Sequence, residues 1–156
     1  MELPDSVARA VEPLFALLPP QQAMDKLVVR QGASQELVQA VEQALADPAL
    51  APPPLQSALW LYIDELDRSH TISQGIEDQT GSYWHGIMHR REGDFSNSHY
   101  WFNKVGQHPA MELIADYDAH AFIDRAEAEA DSPSEATLQL QRAEWQTLFQ
   151  WCAAQQ

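Results

Sequence analysis

Residues 132–152, SPSEATLQLQRAEWQTLFQWC, are the stretch that decides the fold. Ser132-Pro133-Ser134-Glu135 reads as a capping box with proline at the first helical position, the combination that satisfies the free N–H groups opening a helix. Behind it Leu138, Trp145, Leu148, Phe149 and Cys152 recur at helical spacing, so one face of a long C-terminal helix is built to meet a core. The same reading leaves Trp151 exposed beside Glu144, where it marks a candidate dimer contact.

Working back from this helix, strand signals are scarce and apolar residues at helical spacing recur throughout, which predicts an all-α domain of about six to eight helices. A helix is expected to start at Pro109 and run to about Glu129. Leu55, Leu59, Tyr62, Ile63 and Leu66 share one helical face, with Asp64 and Arg68 paired four apart on the other. Ile72 to Gly81 reads as a polar loop. Helices are expected over Ser82–Glu92, broken at Gly93, and from an Asp94 cap to Gly106. At the N-terminal end a short helix interrupted by Pro13 precedes Pro19, a second runs from about Pro20 to Gly32, and a third from Ser34 to Asp47. Ala46–Pro54, ADPALAPPP, is a stiff connector, so residues 1–46 read as accessory helices and 55–156 as the main body of a single helical domain.

Composition excludes several classes of function. No apolar run approaches the ~20 residues of a membrane span, and the acidic N-terminus lacks the basic flank of a secretion signal, so the expected location is cytoplasmic. The formal net charge of −14 argues against nucleic-acid and anionic-membrane partners, which need a cationic face. Cys152 is the single cysteine, which leaves no intramolecular disulfide and no thiolate cluster within one chain.

The charge is unevenly placed. Arg68 to His108 carries four basic and four acidic residues, and the remainder five basic and nineteen acidic. Within that neutral centre, residues 82–109 hold four of the six histidines and six of the fourteen aromatic rings. Imidazoles, guanidinium groups and large rings together suit a partly buried polar pocket better than water or oil. On a helix His85, His89 and Glu92 fall in one stripe, so two imidazoles and a carboxylate share a face. Histidines four apart reach one divalent ion, and the carboxylate completes a two-histidine, one-carboxylate set for zinc or non-haem iron. Gly86 stands where a zincin helix places its general-base glutamate, so peptide hydrolysis by that route is not expected. The alternative reading pairs Glu92 with His89 and leaves His85 hydrogen-bonded to a neighbouring loop.

Arg90 and Arg91 point about 100° apart, so both cannot face one point; either one meets a carboxylate or phosphate of a ligand, or, the favoured reading for each, it pairs with Asp64, Asp67 or Asp94. Asn97, Tyr100 and Trp101 are candidates for lining the pocket, and His99 reads as a core imidazole. Outside the island, Asp67–His70 and Asp116–His120 have the spacing of carboxylate–histidine pairs, and His108 before Pro109 reads as a helix cap.

The run WHGIMHRREGDFSNSHYWFNKVGQHP, residues 84–109, resembles the signature of an uncharacterised family of small bacterial proteins. The likeness covers roughly residues 58–110 and implies no activity, fold or ligand. The residues themselves favour a pocket for a small polar or anionic ligand, lined by His85, His89, Arg90, Asn97, Tyr100 and Trp101. Two alternatives stand beside it: a metal-dependent enzyme using His85, His89 and a carboxylate such as Glu92, and a helical scaffold whose island is core.

Overall fold

The computed structural model describes residues 1–156, and its backbone is helical without strands: α1 Asp5–Leu17, α2 Gln35–Leu45, α3 Pro53–Tyr62, α4 Leu66–Ser73, α5 Gln79–Glu92, α6 Phe95–Val105, α7 Ala119–Ala128 and α8 Glu135–Ala154. Two short 3-10 turns, Pro48–Leu50 and Pro109–Leu113, join them. The fold is all-α, as the helical periodicity requires. No helix is long and apolar enough to cross a membrane.

α8 carries the face that the sequence assigns to it: Trp145, Leu148, Phe149 and Cys152 are sealed in the core, and the Trp145 indole N–H donates to the Ala58 carbonyl at 2.9 Å. Side chains of this size contribute about 1.5–3 kcal/mol each on full burial. The helix opens two residues later than the capping box suggests. Ser134, not Ser132, is the N-cap and accepts from the Thr137 N–H. Glu129 reaches across the preceding turn instead, taking the Ser134 backbone N–H and the Thr137 hydroxyl at 2.8 Å each. Hydrogen bonds, that of the Ser134 N–H foremost, hold the Glu129 carboxyl down to about 2.

Other expectations are corrected as well. Residues 20–32 form no helix, although Ala23, Met24, Leu27 and Val28 are buried at helical spacing. Their carbonyls are claimed from elsewhere: Arg142 bonds Ala23, Gln141 bonds Met24 and Lys26, and Arg91 bonds Lys26, while the Val29 N–H donates to the Arg91 carbonyl. Tertiary donors thus replace the intrahelical ladder. Pro13 lies inside α1 without ending it.

The expected helix from Leu55 through Arg68 divides at Asp64, whose φ of 67° is left-handed, a conformation that aspartate tolerates better than most residues. Asp64 consequently pairs with Arg91 at 2.8 Å and not with Arg68, whose partner is Glu42 at 3.2 Å. α4 continues through Ser73, into the segment read as loop. The segment from Pro109 to Glu129 divides likewise: His108 caps the 3-10 turn, Asp116 adopts a φ of 54°, and Asp118 starts α7 with a bond from the Ala121 N–H.

One cluster of 31 buried apolar residues runs from Val7 to Ala153 and takes in α1, α2 and the Leu50 of the first 3-10 turn. Within it α5 and α6 approach each other at Gly86, where an added Cβ would lie 2.8 Å from two atoms of the buried Phe102 ring. The Ser98 hydroxyl donates to the Gly86 carbonyl at 2.7 Å across the same contact. The turn between them rests on Gly93, at φ 88°. Gly86→Ala is expected to force Phe102 off its seat and cost about 1–3 kcal/mol, as overpacking does; an unchanged urea midpoint would refute this.

Candidate metal centre

The close contact of α5 with α6, and the break at Asp64 that turns α4 back onto α5, bring three imidazoles together. His70 comes from α4, His85 and His89 from successive turns of α5. One ring nitrogen from each lies within 4.8 Å of the others. His70 meets His85 edge-on with ring centroids 4.7 Å apart, and His89 at 5.5 Å; His85 and His89 stack at 4.7 Å. His85 and His89 are buried, whereas His70 is half-buried and forms the open side of the cluster.

Each imidazole has a distinct environment. Glu92 accepts from His89 Nδ1 at 2.7 Å, which leaves Nε2 of that ring as the lone-pair nitrogen. His85 lies flat against Trp101 at 3.7 Å between ring centroids, and its Nδ1 is buried without a hydrogen-bond partner. An orphaned buried nitrogen is costly, and a metal ion is one partner that relieves the cost. Burial above all, and then the neighbouring His89, His70 and Lys104 side chains, lowers the His85 imidazole to about 4, so it is neutral and keeps a lone pair at neutral pH.

The chain matches no family model, no curated protein and no solved structure.

The structure distributes the sequence-selected residues unevenly. His85, His89, Asn97 and Trp101 assemble here, with Asn97 Nδ2 3.3 Å from His89 Nε2. Glu92 stands behind His89, and the third position around the cluster belongs to His70. His70, which the Asp67 spacing pairs with a carboxylate, has no bond to it; only its place in the tertiary fold makes it part of the centre. Tyr100 is exposed, with Lys104 Nζ 5.0 Å from its ring and 4.7 Å from that of Trp101.

Arg90 is removed from the site altogether. It is sealed in the core, where it forms two bonds to Glu144 at 2.7 and 3.0 Å and lies 4.2 Å from the Phe122 ring. Burial would pull its guanidinium down, but the Glu144 carboxylate outweighs that and holds it above its usual value. Arg91 is equally buried and ties the Leu61 and Lys26 carbonyls to α5. Glu144 therefore does not stand beside an exposed Trp151; that indole is half-buried, edge-on to His108 at 4.6 Å. His99 is not core either. It is partly exposed, bonded to His120 at 2.7 Å and to Asp124 at 2.9 Å, so the partner of His120 is His99 and not Asp116.

The larger cavities lie elsewhere. One of about 640 Å³ lies along α1 beside Leu3 and Phe15, one of about 630 Å³ runs along residues 25–32, and one of about 460 Å³ lies beside His120 and Glu112. None of the larger cavities is lined by His70, His85 or His89.

Proposed function

We propose that the protein binds a divalent transition-metal ion through His70, His85 and His89. The convergence of three ring nitrogens within 4.8 Å carries the reading. Donors about 2.0–2.1 Å from one tetrahedral zinc stand roughly 3.4 Å apart, so closing the cluster on an ion asks for shifts of the order of an ångström. An all-imidazole set suits zinc, copper, iron or nickel and not magnesium or calcium, which prefer oxygen. Glu92 supplies the outer carboxylate that orients a metal-bound histidine and raises its basicity.

A small anionic ligand is a second reading, favoured by Lys104. Its ammonium has no carboxylate partner and stands over Trp101, which in turn covers His85.

The test is elemental analysis of untagged protein, followed by stripping with chelator and titration with zinc against a chromophoric competitor. Uptake near one ion per chain is expected. No bound metal on purification together with no zinc uptake by the stripped protein would sink the reading.

A further inference from the structure

The geometry points to Asn97 as the fourth ligand of this centre, through its side-chain carbonyl oxygen; the inference rests on the three-histidine reading above. α6 begins at the residue after Asp94, whose carboxylate accepts from the Asn97 N–H at 3.2 Å and so fixes the backbone of Asn97 beside His89. From there the end of the amide reaches both nitrogens of the His89 ring, Nε2 at 3.3 Å and Nδ1 at 3.5 Å. The first distance matches the roughly 3.4 Å that separates two donors of one tetrahedral ion.

Glu92 accepts from Nδ1 of His89, so Nε2 carries the lone pair, and in the metal-free protein the Asn97 Nδ2 group lies against the ring 3.3 Å from it. An ion on Nε2 would occupy that lone pair and repel the positive end of an amide N–H beside it. A half-turn of the amide exchanges Nδ2 for Oδ1, replacing a donor that opposes the ion with an acceptor that binds it. Trp101 lies flat against His85, and none of the larger cavities opens onto the three histidines. Three imidazoles and one amide oxygen then close the coordination, the arrangement of an ion that is held and not of one left open for chemistry.

The experiment compares wild type, Asn97→Ala, Asn97→Asp and His89→Ala, each stripped and titrated with zinc, and each loaded with cobalt for its visible spectrum. Asn97→Ala is expected to weaken zinc binding roughly tenfold or more and to alter the cobalt bands as water replaces the amide. Asn97→Asp should restore or exceed wild-type affinity, since a carboxylate oxygen takes the same place, an outcome that loss of helix structure would not produce. If both Asn97 variants keep wild-type affinity within twofold and an unchanged cobalt spectrum while His89→Ala loses the ion, Asn97 is not a ligand and the three-histidine centre stands without it. If wild type itself takes up neither zinc nor cobalt, both fall together.

Discussion

Glu144→Leu is expected to lower the unfolding free energy by about 3–5 kcal/mol, because it leaves the Arg90 guanidinium charged and unpaired in the core. Domains of this kind have about 5–15 kcal/mol in total, so the loss takes a large share. Glu144 and Arg90 are both completely buried, and the carboxylate also accepts from the Tyr117 hydroxyl. That hydroxyl is itself held well above its usual range by burial and then by the Glu144 charge, so it stays a donor throughout. The pair nonetheless adds little net stability over a well-packed apolar core, since desolvation consumes most of the attraction. The double variant Arg90→Met/Glu144→Leu should therefore recover most of what the single variant loses. Urea unfolding of the three proteins decides it: a single-variant cost below about 1 kcal/mol, or a double variant no better than the single, would show that the charge is not stranded as described.

The same pair shows where local reasoning stops. Arg90 and Arg91 are neighbours on one helix pointing about 100° apart, and their adjacency gives no means of choosing which one faces a ligand. The fold answers that neither does, because Glu144 arrives from α8 and Asp64 from the end of α3. His85 and His89 were legible because both sit on one helix, where spacing alone sets the face. His70 was not, since its approach depends on the left-handed Asp64, which a reading of apolar periodicity passes through without a break. Residues 20–32 make the complementary point. Their apolar spacing is helical, yet Gln141, Arg142 and Arg91 capture the carbonyls that a helix would have used. The backbone geometry was not legible there, because the competing donors are distant in sequence.

Zinc is expected to raise the melting temperature of wild type by roughly 5–10 °C at a free concentration a hundredfold above its dissociation constant. Binding only to the folded state adds about 2.7 kcal/mol under those conditions, and a domain of this size moves about 2–4 °C per kcal/mol. His70→Ala should lose the whole of that rise while its metal-free melting temperature stays near wild type, because His70 is only half-buried and makes no side-chain hydrogen bond that the core needs. His85→Phe is the sharper variant. It keeps a ring against Trp101 but removes the buried Nδ1 that lacks a partner, so the metal-free protein should be at least as stable as wild type and blind to zinc. A residue retained for packing behaves in the opposite way, costing stability when changed whether or not metal is present. A polar group whose removal stabilises the apoprotein and abolishes the response to an ion is one the fold keeps for the ion. If His85→Phe melts several degrees below wild type without metal, or if either variant keeps the full zinc shift, the cluster is packing and the ion binds elsewhere.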